Sequence, residues 1–299
     1  MREVSLKTPA KINLFLETIS KRPDGYHNLL TLFARVALFD RLVLRKSRSG
    51  HISVRVKNNS NLFLKDRKDN LAYKAAEAFF KTFGINCGVE IELEKNIPAG
   101  AGLGGGSGNA AGVLKGLCGL FETDFRANYD KILKIALSIG ADVPFFLQDE
   151  CFCAARGMGE KLSPVKASGV LPSVIIAWPG EPVSTKYAYS KLKLPVCREV
   201  RAGERKFRSM MRCLKDGARL EAFKKFMFNR LEDPVLENFR FVRNLKDRFR
   251  KLGADSVLMS GSGSSIFALI EETEKAGDVF KRMKMRKGKV FLTHFLLKS

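Results

Sequence analysis

Lys95-Asn96-Ile97-Pro98-Ala99-Gly100-Ala101-Gly102-Leu103-Gly104-Gly105-Gly106-Ser107-Gly108-Asn109-Ala110-Ala111-Gly112 is the most informative segment of the chain. Gly100, Gly102, Gly104, Gly105, Gly106 and Gly108 crowd just ahead of an apolar helical run, Ala110, Ala111, Val113, Leu114 and Leu117. Glycine brings its amide against a ligand with no Cβ in the way, and it tolerates a positive φ. A helix starting there adds unpaired N–H groups and the positive end of its dipole. Together these form a cradle for an anion, most often phosphate. A mobile linker could share the composition, but linkers rarely lie between a strand and an apolar helix.

Three phosphate loops compete for this pattern. Gly100, Gly102 and Gly105 fit the dinucleotide spacing G-x-G-x-x-G. The preceding strand argues against it, because Val89, Ile91 and Leu93 alternate with Glu90, Glu92 and Glu94. One face of that strand is solvated, whereas the first strand of a dinucleotide fold is buried on both faces. No Lys-Ser/Thr pair follows the glycines, which removes the Walker loop. What remains is Pro98, three residues, Gly102-Leu103-Gly104, small residues and a helix.

Bulk properties narrow the class. The 299 residues are 45% hydrophobic, enough for one large core or two modest ones. No run of about 18 apolar residues is present to span a membrane. A strand pattern begins almost at the N-terminus, which leaves no room for a signal or transit peptide. The six cysteines include no C-x2-C pair, so neither a zinc site nor a disulfide framework is expected. A reducing cytoplasm fits. Net charge is +22, and residues 166–299 hold 29 Lys and Arg against 14 Asp and Glu. Such a charge attracts polyanions. Here it is spread along helix faces without interleaved aromatics, which favours a solvated surface over a specific nucleic-acid site.

Along the chain, residues 1–57 are strand-rich, with Ile12, Leu14 and Leu16 on one face of the first strand and further strand patterns around 29–44 and 52–56. A helix is predicted over 70–83 with Asn70 as N-cap, and another over 130–139 ending at Gly140 in the usual left-handed capping position. A strand around 152–155 leads into the turn Gly157-Met158-Gly159. The second half reads as a strand at 173–178, a helix over 234–249 capped by Asp233, and strands at 256–259 and 265–270 around Ser260-Gly261-Ser262-Gly263-Ser264. A helix over 273–285 and a strand over 290–295 follow. That order, β-α-β-β-α-β with inserted helix, is the split unit of ferredoxin-like domains. The expectation is an α+β chain of two domains, residues 1–165 and 166–299.

Lys11 and Asn13 point away from Ile12 and Leu14, so two polar side chains share one face of an otherwise apolar strand. Asp142 stands in Gly140-Ala141-Asp142-Val143-Pro144, where it could cap a helix with Pro144 in the first turn. A carboxylate beside a lysine stays ionised, and it can take a proton from an alcohol attacking phosphorus. Both readings of Asp142 are open at this point.

Four segments, Pro9-Ala10-Lys11-Ile12-Asn13, the loop at 98–111, Gly140-Ala141-Asp142-Val143-Pro144 and Met259-Ser260-Gly261-Ser262-Gly263-Ser264, occur in the order found in the GHMP superfamily. This superfamily includes galactokinase, homoserine kinase and mevalonate kinase. Lys21-Arg22-Pro23-Asp24-Gly25-Tyr26-His27-Asn28-Leu29 resembles one branch, whose substrate is a cytidyl-diphosphate-linked methylerythritol of the non-mevalonate route to isoprenoids and terpenoids. Val183-Ser184-Thr185, Ala188-Tyr189, and Asn229 with Leu231-Glu232 are similar to it too.

The resemblance implies an N-terminal ATP-binding, catalytic domain like the second domain of ribosomal protein S5 and a ferredoxin-like C-terminal domain. It implies a cytoplasmic ATP- and Mg²⁺-dependent alcohol kinase, a monomer or weak homodimer with no membrane or specific nucleic-acid partner. By the same resemblance Asp142 is the base or polariser and Lys11 holds it. Pro98, Gly100, Gly102, Leu103, Gly104, Gly105, Gly106 and Ser107 surround the ATP phosphates, supported by the turn at 261–264. Tyr26 and Tyr189 hold the cytosine between them, with Asn13, His27 and Thr185 binding the substrate. Gly108, Arg230 and Gln148-Asp149-Glu150 depart from the family pattern, which bears on the details of ATP and Mg²⁺ handling. The alternatives are a homoserine- or mevalonate-type kinase, or a basic RNA-binding protein.

Overall fold

Two long strands open the chain, β1 (Glu3–Lys21) and β2 (His27–Ser47), followed by β3 (Ile52–Lys57), α1 (Leu71–Phe83) and β4 (Gly88–Glu94). The glycine stretch runs into α2 (Gly105–Leu120), and α3 (Tyr129–Ile139), α4 (Val143–Leu147), β5 (Phe152–Gly157) and β6 (Lys161–Val165) follow. Next come β7 (Ser173–Trp178), α5 (Thr185–Ser190), α6 (Cys197–Lys215), α7 (Leu220–Phe223), β8 (Phe228–Asn229) and α8 (Glu232–Asn238). The chain finishes with α9 (Arg240–Lys251), β9 (Ser256–Met259), β10 (Ile266–Ile270), α10 (Thr273–Arg282) and β11 (Lys289–Thr293). This computed structural model describes residues 3–47, 49–57, 69–217 and 219–297. The chain divides into two compact units. One comprises Met1–Ala10, Leu38–Ala99 and Gly104–Asp149, the other Lys11–Ala37, Gly100–Leu103 and Glu150–Ser299.

In the first unit, α1 begins as its sequence demands. The Asn70 side chain accepts from the Ala72 N–H at 2.9 Å, and Gly84 ends the helix in the left-handed region at φ +63°. Its stripe Ala72, Ala76, Phe79 and Phe80 is buried. β4 pairs antiparallel with β2, placing Leu93 opposite Leu42 and Ile91 opposite Leu44, and β3 runs parallel along its other edge. Val89, Ile91 and Leu93 are buried while Glu90 is exposed, so the alternation read from the sequence is that of a half-buried strand. Helix α2 lies close on the strands through a four-residue repeat of glycines. A Cβ at Gly112 would strike Thr8, one at Gly116 would strike Leu44, and one at Gly108 would stand 3.1 Å from the Pro9 carbonyl oxygen. The serine frequent in the family at position 108 would therefore need that carbonyl to give way.

In the second unit, β7, β9, β10 and β11 form an antiparallel sheet in the order β11-β7-β10-β9. Numbered within the sheet this is 4-1-3-2, the order that the β-α-β-β-α-β succession produces in ferredoxin-like folds. Ile175 and Ala177 of β7 and Ile266, Ala268 and Ile270 of β10 share one core with Val242, Leu245 and Phe249 of α9 and Ala276 and Val279 of α10. Each large apolar side chain buried there contributes about 1.5–3 kcal/mol. β5 and β6 form a hairpin on residues 29–34 of β2, and β8 adds a short parallel pairing to β1 at Phe15 and Leu16.

Three local expectations change. The helix expected over 234–249 is two helices, because Phe239 leaves helical geometry at φ −117°, ψ 88°. Asn238 donates its side-chain amide to the Pro234 carbonyl at 2.8 Å, satisfying the end of α8 locally. Leu231 occupies the N-cap position of α8, and Asp233 falls inside its first turn. Gly140 ends α3 in extended backbone at φ 176°, not in the left-handed cap. α10 stops at Arg282, short of residue 285.

Candidate active site

The glycine loop leaves β4 through Pro98 with Gly100, Gly102 and Gly104 all at positive φ, +63°, +75° and +69°. Its first part is clasped from behind. Ser260 Oγ donates to the Gly102 carbonyl at 2.9 Å, the Ser265 N–H donates to the Ala101 carbonyl at 3.2 Å, and the Lys11 N–H donates to the Leu103 carbonyl at 2.9 Å. A Cβ at Gly102 would collide with the Ser260 carbonyl oxygen and stand 3.0 Å from that of Gly263. The serine–glycine turn thus backs the loop, as the family resemblance implied. Asn229 in turn fixes the turn. It is buried, donates to the Met259 and Gly261 carbonyls at 2.8 Å each, and accepts from the Leu231 N–H at 3.0 Å.

Beyond Gly104 the loop becomes a helix. Gly104 holds the N-cap position without a side-chain cap, and the Gly108 N–H reaches back to its carbonyl at 2.8 Å. The N–H groups of Gly105, Gly106 and Ser107 precede that first bond, where an α-helix supplies no internal acceptor. A Cβ at Gly106 would meet only Leu71, with Cδ1 at 3.4 Å. Packing leaves room for a methyl there, so glycine at 106 is not demanded by the fold.

Lys11, Asn13 and Phe15 share one face of β1, and all three are buried. The Lys11 ammonium donates to Asn13 Oδ1 at 2.7 Å, Asn13 Nδ2 donates to Thr31 Oγ1 at 2.8 Å, and Thr31 Oγ1 donates to the Phe15 carbonyl at 2.6 Å. The Phe33 ring lies 5.4 Å from the ammonium. A Cβ at Gly261 would stand 3.2 Å from Lys11 Nζ, so the ammonium is seated against the same turn that backs the loop. Asn13 is therefore engaged with Lys11 and Thr31.

Asp142 stands at the N-cap position of α4, with Pro144 in the first turn, yet its carboxylate makes no capping hydrogen bond. The position is that of a cap and the side chain is not used as one. Asp142 falls in the first unit and Lys11 in the second.

The Asp24-Gly25 turn presents the aromatic residues. Asp24 accepts from the Tyr26 N–H at 3.1 Å and from Arg22 Nε at 3.0 Å, and Gly25 takes φ +85°. The hydrogen bond from Arg22 is the main reason the Asp24 carboxyl lies below its ordinary range. Tyr26 is 61% exposed, whereas His27 stacks on Tyr189 with centroids 4.9 Å apart and planes 24° apart. In this structure the Tyr189 ring faces His27. Burial, with the charge of Lys21 adding to it, lowers the imidazole below its ordinary 6.5. Thr185 begins α5, after the Ser184 cap, and its hydroxyl lies 2.9 Å from that of Ser262.

Sequence reasoning gave no role to Thr31, whose signal was a lone hydroxyl in the apolar run of β2. Arg230 has a partner that accounts for its departure from the family pattern. It binds the buried Glu17 through Nε at 2.7 Å and Nη2 at 3.0 Å. Burial raises the Cys118 and Cys151 thiols to about 12 and Cys153 to about 11, so these three stay protonated thiols.

Comparison with known proteins adds a second line. The model of the GHMP kinases N terminal domain matches residues 70–150, and that of the GHMP kinases C terminal domain matches residues 210–287. The chain is 36% identical to a 4-diphosphocytidyl-2-C-methyl-D-erythritol kinase of Clostridium botulinum (strain Kyoto / Type A2), over 96% of this chain and 98% of that one. A crystal structure of a 4-(cytidine 5'-diphospho)-2C-methyl-D-erythritol kinase superposes with a TM-score of 0.75 at 33% identity, covering 98% of this chain and 99% of that one. A homoserine kinase from Cytophaga hutchinsonii gives 0.78 at 20% identity, covering 99% and 96%, which speaks for the fold alone.

Proposed function

Because the chain belongs to the 4-diphosphocytidyl-2-C-methyl-D-erythritol kinases, within the GHMP kinases, we propose that it transfers the γ-phosphoryl of ATP to the 2-hydroxyl of 4-diphosphocytidyl-2-C-methyl-D-erythritol. The observation that carries this is the glycine loop, clasped by the serine–glycine turn, within a chain that is 36% identical to such a kinase over 96% of its length. The division into a catalytic part to residue 165 and a ferredoxin-like part from 166 belongs to the same proposal, and the two matched family stretches lie on either side of it.

Each residue then has a task set by its chemistry. Pro98, Gly100, Gly102, Leu103, Gly104, Gly105, Gly106 and Ser107 shape the loop around the triphosphate, with the helix N–H groups facing its oxygens. Mg²⁺ would travel with the nucleotide and neutralise its phosphates. Among the described residues no cluster of three or more His, Cys, Asp or Glu would fix a metal independently of the nucleotide. Asp142 receives or polarises the hydroxyl proton. Lys11, held by Asn13 and against the Gly261 turn, supplies positive charge that stabilises the developing oxyanion.

Tyr26 and Tyr189 stack on the cytosine, which requires His27 to leave the face of Tyr189 and turn its ring nitrogens to the base edge. Stacking is worth about 1–3 kcal/mol for any base, so the edge contacts choose cytosine. Thr185 and the second amide hydrogen of Asn13 complete the substrate contacts. The setting is a cell interior, in keeping with an ATP-dependent enzyme, and among the described residues no helix is long and apolar enough to cross a membrane.

The test is a coupled ADP-release assay with 4-diphosphocytidyl-2-C-methyl-D-erythritol, its uridyl analogue, homoserine and mevalonate. Turnover is expected with the cytidyl substrate and much less with the uridyl one, whose carbonyl replaces an N–H2 donor and leaves a buried mismatch. Equal use of both bases, or preference for homoserine or mevalonate, would remove the cytidyl assignment.

A further inference from the structure

A single buried carboxylate gathers both ends of the glycine loop. Asp40, on β2, is fully buried. Its Oδ1 accepts from the N–H groups of Asn96 at 2.7 Å and Ile97 at 2.8 Å. Its Oδ2 accepts from the Lys95 ammonium and from Asn109 Nδ2 at 3.1 Å. Asn109, also buried, accepts from Thr8 Oγ1 at 2.6 Å. Asn96 and Ile97 are the last residues before Pro98, and Asn109 lies on the second turn of α2, so residues 98–108 are bracketed by bonds to one side chain. The Lys95 ammonium lies beneath the first residue of α2, since a Cβ at Gly105 would stand 3.2 Å from its nitrogen.

The residue types fit this task and little else. Four donors converge on position 40, and an ionised carboxylate is the acceptor-only group with sites for all of them, whereas an asparagine would turn its own N–H2 against donors. A buried ion pair is weak evidence of a stability device, because an apolar pair of like volume often does as well. What the pair adds here is a fixed geometry between the strand side of the loop and the helix.

The geometry points to Asp40, with Lys95 and Asn109, as the positioning device of the glycine loop, setting how the N-terminal N–H groups of α2 face the nucleotide phosphates. This rests on the reading of that loop as the ATP site. In this role each of the three acts through the backbone it holds.

Asp40→Asn strands a buried ammonium and can cost the fold, so the test uses two milder variants. Asn109→Ala cuts the tie to α2, and Asp40→Asn combined with Lys95→Met removes both charges together. ATP and CDP affinities are measured by titration calorimetry beside kcat at saturating ATP, with Gly106→Ala as control. For Asn109→Ala, ATP affinity is expected to fall about tenfold, the scale of one hydrogen bond to a charged group. CDP affinity and kcat should stay within about threefold, and the double variant should follow the same pattern, because only the phosphate loop is loosened. ATP affinity unchanged in a folded Asn109→Ala protein, or equal losses for ATP and CDP, would overturn the positioning role. If Gly106→Ala weakens ATP and Asn109→Ala does not, the positioning role alone fails. If neither does, the loop is not the ATP site.

Discussion

Gly106→Ala separates what the fold needs from what a ligand needs. The absent Cβ of Gly106 would meet only Leu71 Cδ1 at 3.4 Å and Cγ at 4.0 Å, which are ordinary contacts, and its φ is not positive. Alanine in a helix is favoured over glycine by about 0.5–1 kcal/mol, so the variant should be as stable as the parent or slightly more so. Position 106 is nevertheless in the first turn of α2, where phosphate oxygens must come within hydrogen-bond distance of the N–H groups. A methyl projecting there displaces one charge-assisted hydrogen bond, worth about 1.5–3 kcal/mol, and ATP should bind about 10- to 100-fold more weakly. Gly102→Ala provides the contrast. There φ is +75° and the methyl collides with the Ser260 carbonyl oxygen, so stability itself should drop by about 2–4 kcal/mol from left-handed strain and backbone overlap. Thermal melting and titration calorimetry with ATP and CDP read both quantities. A Gly106→Ala protein that is fully stable and binds ATP like the parent would refute the placing of phosphate at this helix.

Asp142→Asn should lower turnover by about 10²–10⁴ in the ADP-release assay with little change in ATP affinity, as loss of acid–base help does. Lys11→Ala should behave alike, and the double variant should be little worse than either; fully multiplicative losses would mean the two act separately. Asn229→Ala leaves the Met259 and Gly261 carbonyls without their donor and should cost about 2–5 kcal/mol in urea denaturation, a loss under 1 kcal/mol arguing that the turn is held otherwise. The depressed imidazole of His27 predicts a pH dependence. With its value in the folded state below 6.5, protonation favours states in which the ring is exposed. Folding stability should therefore be level above pH 6.5 and fall as pH drops below it, with His27→Gln flattening that part of the profile in urea denaturation. A His27-dependent gain in stability on acidification would reverse the sign and sink the argument.

Whatever depends on residues near one another in the chain is legible from the sequence. Asn70 had a free N–H two residues on to accept from, the glutamates of β4 had to take its less buried face, and glycines before an apolar run could make only a phosphate-type loop or a linker. The strand–helix order from residue 173 onward already contained the ferredoxin-like arrangement, because short un-knotted connections leave few ways to place four such strands. The helix over 234–249 was misread for the converse reason. Its apolar stripe is continuous in sequence, and a break at Phe239 keeps that stripe on the same core.

Tertiary structure decided what long-range polar contacts decide. Hydrogen bonds between residues tens to hundreds of positions apart carry no periodic signal, so Asn229 holding the Ser260 turn, Thr31 behind Asn13 and Asp40 beneath the glycine loop could not be read from spacing. The same holds for His27 lying on Tyr189 and for the Asp142 carboxylate standing at a cap position without capping. Apolar patterning specifies which face is buried. Only the folded backbone specifies which buried donor meets which acceptor, because that match is made in three dimensions and each unmatched group costs about 1–3 kcal/mol.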